Sequence, residues 1–520
     1  MLLSFLCDTT LTQPTRHDES TPASSGRDKI DYENALGFLY DRIDYERLTT
    51  GTSRYPFRLT RMRELLGRLG LGHFIELAPV TKLASAAERT SDIERASKPA
   101  VIHLAGTKGK GSTASMVAAA LTAAGLKTGL YTSPHLQQLE ERFRVDGQIC
   151  HPNELISLVD QVRPVDEALM SDGIGAGSFF ELTTALSLLH FHHSGCDAVV
   201  LETGLGGRLD STNVCWPDVT AITSIGLDHQ HVLGDTLAQI ATEKAGIIKP
   251  GVPVISGVRA DEPAEVIERI AAEKNSPLLK IGRDFTLDWQ PNPVWGSQIT
   301  FHGRTNPLGK TLAAHVAMEG EHQARNAAMA IAIVQVLRNR LPTVIRGDIK
   351  SADITDATIA GALANLRCDG RIQRYALSEK TTGIIDAAHN EDSIAALCQT
   401  LKRRATTGPV AIVFGTSIDK SSGPMLEQIA ELAKHIDLKR IQITRFNGNP
   451  RWRPTAELMA QMPDSLRPIA VVNDDPIQAC QAGLQAVTPG GMLIVCGSFF
   501  LAAETAPWMH SITCEATDAS

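Results

Sequence analysis

The chain has 520 residues, 43% hydrophobic and 21% charged, with a formal net charge of −8. That is ample apolar material for more than one packed core, and it excludes a largely disordered chain. The acidic balance argues against a nucleic-acid surface, which needs clustered Lys and Arg, and no run approaches the roughly 18 apolar residues of a membrane span.

In chain order, the first seven residues are apolar but lack a basic flank and meet Asp8 too early for a signal peptide. Residues 8–29 are rich in Thr, Ser, Pro and charge, so 1–30 is expected to be a flexible leader. Helical apolar spacing marks 32–41 and 59–69, and 78–98 reads as a partly helical surface insertion. From Val101 onward, strands at 101–104, 128–131, 198–202, 219–224 and 252–255 alternate with helices at 113–124, 180–193, 237–244 and 264–274. Such alternation predicts an α/β fold: a P-loop-containing domain with a mostly parallel sheet. After helices at 323–337 and 357–366, further strands at 383–386, 410–414, 440–444, 469–472 and 492–495 predict a smaller Rossmann-like α/β C-terminal domain. The expected division is 31–366 for the nucleotide-binding domain, 367–505 for the second domain and 506–520 for a tail. Nine scattered cysteines without a C-x-x-C pair read as reduced thiols, which places the chain in the cytoplasm.

The chemistry concentrates where strands end. Residues 105–113 read Ala-Gly-Thr-Lys-Gly-Lys-Gly-Ser-Thr between an apolar strand and an alanine-rich helix. Gly106, Gly109 and Gly111 let the backbone bring N–H groups close to an anion at a helix N-terminus, Lys110 can reach a terminal phosphate, and Ser112 can face magnesium. The strict Walker pattern fails, because Leu104 occupies its first glycine position and Gly111 follows the lysine, so a glycine-rich turn without ligand stays open. Ser133, in Thr-Ser-Pro-His-Leu, is either a turn residue or a metal contact. Glu181 opens an apolar helix, where an acid ordinarily complements the dipole, unless Asp228-His229 and Glu243-Lys244 join it around a cation. Oxygen donors with one imidazole suit Mg²⁺ or Mn²⁺ better than zinc. Residues 202–213 carry Gly204, Gly206 and Gly207 with Arg208 and Asp210, which are placed to orient a polar substrate; the dinucleotide G-x-G-x-x-G spacing is not met.

Taken together and in this order, these segments resemble the folylpolyglutamate synthase and dihydrofolate synthase family, relatives of the bacterial muramyl ligases, from about residue 32 to 501. The resemblance rests on GTKGKGS (106–112), TSPHL (132–136), ETGLGGRLDSTN (202–213), TSIGLDH (223–229) and EKAGIIKPG (243–251). GEHQARNAA (320–328), DGR (369–371), DAAHN (386–390), DK (419–420) and GSFFL (497–501) continue it. It implies two domains enclosing ATP, with Thr107, Lys108, Gly109, Lys110, Gly111 and Ser112 around the β- and γ-phosphates. It also implies Ser133, Glu181, His229 and a carbamylated Lys244 as ligands of Mg²⁺, two ions in all. Asn326 would bind adenine, Arg371 a phosphate across the cleft and Asp386 the ribose, with His389 nearby; Lys110, Lys244, His229 and Arg371 would serve catalysis. The implied reaction is ATP-dependent addition of L-glutamate to dihydropteroate or to reduced folates through an acyl phosphate, by a monomer with small-molecule partners only. Lys108 stands where Asn is usual, Ala387 for Gly, Glu391 for Pro, and Asp369 opens what is commonly Pro-Gly-Arg. A muramyl-type peptide ligase is the alternative within the class, although TSPHL, GGRLDSTN and the lack of a separate UDP-binding domain speak against it. A P-loop kinase or NTPase is the alternative outside it.

Overall fold

The computed structural model describes residues 26–42, 59–75, 98–309, 311–346, 348–378, 380–404 and 408–513. The expected leader up to residue 25, the expected insertion up to residue 97 and the expected tail beyond residue 513 lie outside the described residues. Strands β1 (Ala100–Ala105), β2 (Thr128–Tyr131), β3 (Phe143–Val145), β4 (Gln148–Ile149), β5 (Ala198–Glu202), β6 (Val219–Ile222), β7 (Val254–Ser256) and β8 (Leu278–Lys280) form one sheet in the order β4-β3-β2-β5-β1-β6-β7-β8. From β2 to β8 it is parallel, and the β3–β4 hairpin adds an antiparallel edge. β1, β5 and β6 are buried along their whole length, as a parallel sheet covered on both faces requires.

One face packs on the helix Lys110–Ala123, and this core extends to the helix Glu321–Arg338. The other packs on Pro152–Ser171 and Phe179–His193, with Gly26–Tyr40 and Leu59–Arg68 outside them. The helix Glu321–Arg338 buries every residue from Ala327 to Leu337, so it needs cover on both sides. That cover is an element without a counterpart among the expected strands: the antiparallel sheet β9 (Phe285–Pro291), β10 (Ser297–Gly303) and β11 (Thr311–Val316), whose Phe285, Ile299, Phe301 and Leu312 enter the same core. A small hairpin, β12 (Val344–Arg346) with β13 (Ile349–Lys350), follows.

The second half carries β14 (Gln373–Ser378), β15 (Thr381–Ile385), β16 (Val410–Phe414), β17 (Leu438–Ile443), β18 (Ala470–Val472) and β19 (Met492–Cys496), in the order β14-β15-β19-β16-β17-β18. It is parallel apart from β14. Two ends differ from expectation. The first described helix starts at Gly26, so 26–30 is not leader, and the last helix runs Phe499–Ser511, so 506–511 is not tail. Pro507 lies inside this helix, and Ala506 and Met509 beside it are buried in the core of the second half.

The halves are joined beside the three-stranded sheet. Arg404, just past the helix Glu391–Arg403, grips Glu319 with Nη2 at 2.6 Å and donates to the carbonyls of Asn292 and Gly296. Its guanidinium and that of Arg374 lie over Trp295 at 4.9 and 4.7 Å, while Arg403 covers Trp289 at 5.0 Å. The Arg404 and Glu319 side chains are only 9% and 5% exposed. Arg404→Ala strands Glu319 as a buried charge, and such losses cost about 3–5 kcal/mol. A clear fall in the thermal unfolding midpoint is the expected result, checked by calorimetry; an unchanged midpoint would show that this joint does not hold the halves.

Candidate functional site

β1 sits at the centre of the first sheet, and the chain leaves it toward both edges, so a crevice opens beyond the carboxyl ends of β2, β5, β1 and β6. The loop after β1 turns at Gly106 (φ 152°) and Gly109 (φ 85°). A Cβ on Gly106 would meet Thr223 Oγ1 at 2.0 Å, and one on Gly109 would meet Asn326 Oδ1 at 2.4 Å, so both positions exclude side chains. The segment after β6 clamps the loop from below. Thr107 N–H donates to the Ser224 carbonyl (2.8 Å), Lys108 N–H to Ser224 Oγ (2.9 Å), and Thr223 Oγ1 to the Lys108 carbonyl (2.6 Å).

This clamp corrects the expected phosphate cradle. The amides of Thr107 and Lys108 are already used within the protein, whereas the helix's first intrahelical bond is Thr113 N–H to Gly109 O. The N–H groups of Gly109, Lys110, Gly111 and Ser112 therefore face the crevice at the positive end of the helix dipole.

Two lysines converge on one oxygen. Lys110 Nζ donates to the Gly106 carbonyl at 3.1 Å, and Lys244 Nζ, from the helix Leu237–Ala245, donates to the same carbonyl at 3.0 Å. Lys244 is buried, and burial together with the neighbouring Lys110 charge pushes its ammonium down to about 7. Lys110 also lies 3.9 Å from Glu202 Oε1, while Glu202 Oε2 accepts from Ser133 N–H at 3.2 Å. Glu202 is the last residue of β5 and stands opposite Leu104 in register, two residues before Gly106.

Glu181, expected to hold a cation, is engaged elsewhere. Arg61 binds both its oxygens, Nε to Oε1 at 3.0 Å and Nη2 to Oε2 at 2.6 Å, and Oε2 also takes the Ser178 N–H and hydroxyl of its own helix cap. The carboxylate beside the phosphate loop is Glu202. The sequence shows it only as the first letter of a motif; its place at the end of the strand next to β1 was the available signal. Asp210, which also borders the cavity described below, shapes the chain: its oxygens take the N–H groups of Gly204, Leu205 and Thr212. Arg208 pairs with Glu243 at 2.9 Å.

His229 lies at a left-handed backbone position (φ 49°) before a short helix, and burial lowers its imidazole pKa, with Asp228 opposing. The opposite wall comes from the second half. Arg371 sits between two left-handed residues, Gly370 (φ 64°) and Ile372 (φ 48°), the latter strained for a β-branched side chain. Asp386 holds that turn by accepting Ile372 N–H at 2.9 Å and Ala388 N–H at 2.8 Å. Burial raises the Asp386 pKa, with Arg371 opposing. His389 faces the Ala387 carbonyl through Nδ1 at 2.8 Å, and burial drops it to about 4, so the ring is neutral. The unusual Ala387 methyl is accommodated because its neighbour is Gly370, where even a Cβ would stand 3.4 Å away. Glu391 occupies the first turn of its helix, where an acid complements the dipole. Lys108 is pushed down by burial, with Asp228 and Asp392 opposing from the two halves.

Many of these groups border one cavity of about 520 Å³. Lys110, Ser133, Glu202 and His229 line it from the first half, and Arg371 and His389 from the second. Asn326 and Asp386 are also on its wall, and Lys244 lies just beneath Gly106. Lys420, which the sequence shows only as part of a motif, also lines it. An apolar end is formed by Leu59, Met62, Phe180 and Leu205, with Arg142 beside it. The arrangement offers amides and cations for a triphosphate, hard oxygen donors for a divalent cation, and a flat apolar slot for a ring.

Comparison with known proteins points the same way. Residues 104–334 match the Mur ligase middle domain and 370–499 the Mur ligase glutamate ligase domain. The dihydrofolate synthase/folylpolyglutamate synthase of Bacillus subtilis is 31% identical over 415 residues, 80% of this chain and 86% of that protein. The folylpolyglutamate synthase of Lacticaseibacillus casei is 32% identical, over 77% and 88%. Among solved structures, Mycobacterium tuberculosis folylpolyglutamate synthase complexed with ADP superposes with a TM-score of 0.75 at 25% identity, covering 93% of this chain and 99% of that one. Escherichia coli FolC in complex with DHPP and ADP gives 0.71 at 25% identity, over 92% and 98%.

Proposed function

The chain belongs to the dihydrofolate synthase/folylpolyglutamate synthase family of Mur ligases, and from that membership we propose how its cleft works as an ATP-dependent carboxylate–amine ligase. It joins L-glutamate to a pterin-linked carboxylate, that of dihydropteroate or of a reduced folate. The observation that carries the reading is the single cavity in which Lys110 and Glu202 from one sheet face Arg371 from the other.

The triphosphate lies over the amides of residues 109–112, with Lys110 on its terminal phosphates and Asn326 toward the base. The pterin ring takes the apolar slot at Phe180. A substrate carboxylate oxygen attacks the γ-phosphorus, ADP leaves, and an acyl phosphate results. The glutamate amine then attacks the acyl carbon; the tetrahedral intermediate expels phosphate, and the amine proton passes to solvent. The protein contributes placement and charge: Lys110 and Arg371 neutralise the transferring group from opposite walls, and closure of the halves keeps water from the acyl phosphate.

Magnesium fits the donors present, Ser133 hydroxyl, Glu202 carboxylate and a neutral His229 imidazole, and when bound it would offset phosphate charge. Lys244 as an ammonium repels a cation, but as a carbamate it supplies anionic oxygens. Its amine nitrogen attacks CO₂ and loses a proton, turning a positive neighbour of Lys110 into a negative one. Since the Lys244 pKa stands near 7, the reactive neutral amine grows as pH rises through that value and shrinks below it. Enzyme held in CO₂-free buffer should therefore lose activity and regain it with bicarbonate, more readily above neutrality than below. Lys244→Ala should be partly rescued by short carboxylates. No response to either treatment would remove the carbamate from this scheme.

The seven described cysteines are all free, which fits a cytoplasmic enzyme, and both cavity walls come from one chain, which fits a monomer. Among the described residues, no helix is long and apolar enough to cross a membrane. The deciding experiment supplies ATP, Mg²⁺ and glutamate with either dihydropteroate or tetrahydrofolate and weighs the products. A glutamylated product and ADP, formed only when both acid and amine are present, is the expected result; ADP release without the amine would favour a kinase or NTPase.

A further inference from the structure

A second cluster of metal-binding groups lies outside the cleft, where none of its members lines the cavity. Cys150 follows β4, Glu154 stands in the first turn of the helix Pro152–Ser171, and His190 in the last turn of Phe179–His193. One ligand atom from each lies within 4.8 Å of the other two. Cys150 and His190 are 1% and 4% exposed.

His190 Nδ1 meets Glu154 Oε1 at 2.8 Å, a charged pair when the ring is protonated. The Cys150 thiol makes one long contact, donating to the His151 carbonyl at 3.6 Å. Beside them is Glu140, 1% exposed, in the turn Leu139–Arg142, with the Tyr32 hydroxyl as its neighbouring donor and no cationic side chain paired with it among the described residues. A buried carboxylate left so is costly, and a cation is the group that would relieve it.

We propose that Cys150, Glu154 and His190, with Glu140 beside them, form a site for a thiophilic divalent cation, Zn²⁺ foremost, that ties the β3–β4 hairpin to two helices. A sulfur, an imidazole nitrogen and carboxylate oxygens are a zinc donor set, and a thiolate selects against Mg²⁺. Zinc bonds of about 2.0–2.3 Å set tetrahedral ligand atoms roughly 3.3–3.7 Å apart, so His190 Nδ1 and Glu154 Oε1, now 2.8 Å apart, would separate slightly around the ion. The site differs in kind from the cleft, whose donors are oxygens and one imidazole. Cys150 and His190 stand far apart in the chain, which is why a search for short cysteine spacings passes over the site.

The test uses the full chain. Protein stripped with chelator and returned to Mg²⁺ buffer is offered zinc or cobalt, and bound metal is measured after gel filtration. About one zinc per chain should be retained, with a thermal midpoint that falls on chelation and recovers with zinc. The cobalt form should show a thiolate charge-transfer band and tetrahedral visible bands. Cys150→Ser should abolish that band and weaken zinc binding by about tenfold or more. No retained metal, a cobalt spectrum without the thiolate band, or a band that survives in Cys150→Ser would each overturn the proposal. If that variant does not fold, the spectrum of the unaltered chain decides alone.

Discussion

Lys110→Ala is expected to lower glutamate-dependent ADP formation by about a thousandfold while leaving the protein folded. One positioned donor to a developing charge contributes about 10²–10³ in turnover, and a cation on a transferring phosphoryl group about 10³–10⁵. In the proposed reading Lys110 contacts phosphate: its ammonium is tied to the Gly106 carbonyl at 3.1 Å, and it is the first residue of a helix whose opening amides have no intrahelical acceptor. Stability should hardly change. Alanine is the best helix former, the side chain borders a cavity, and its removal takes a positive charge away from the buried Lys244. Steady-state kinetics with a thermal melt check both halves of the statement. Near-normal turnover would mean that the triphosphate lies elsewhere.

The second large effect separates two acids that line the same cavity. Glu202→Gln is expected to reduce turnover by about a hundredfold or more without lowering the unfolding midpoint. This carboxylate has Lys110 at 3.9 Å, takes the Ser133 amide, and is a cation ligand in the proposed reading. Glu181→Gln should behave in the opposite way. It takes the charge from a buried, two-pronged contact with Arg61 and weakens a helix cap, so the loss is stability, about 3 kcal/mol or more. Its kinetic effect should appear in KM for the pterin substrate, since Glu181 lines the cavity together with Phe180 and Met62 of the apolar slot. Comparable loss of turnover in Glu181→Gln at unchanged stability would return the metal to Glu181.

The contrast between these acids shows what the sequence alone does not weigh. An acid at the start of a helix, next to Thr and Ser, stands out in one dimension; that a distant arginine already holds both its oxygens does not. Lys108 and Thr107 are a similar case. Their place in the glycine loop suggested amides open to phosphate, but Ser224, more than a hundred residues later, takes both.

What the sequence determined by itself is what local chemistry controls. Apolar β-branched runs between helical periods specify two α/β sheets, and glycines with a lysine before a helix mark a candidate anion site at a sheet's carboxyl edge. Tertiary structure alone decided three things: that the Glu202 carboxylate adjoins the loop while Arg61 holds Glu181, that an antiparallel sheet caps the helix Glu321–Arg338, and that Arg404 joins the halves beside that sheet. The physical reason is common to all three. Strand register, competition for hydrogen-bond partners and the covering of a helix's outer side are set between residues far apart in the chain, and no local spacing records them.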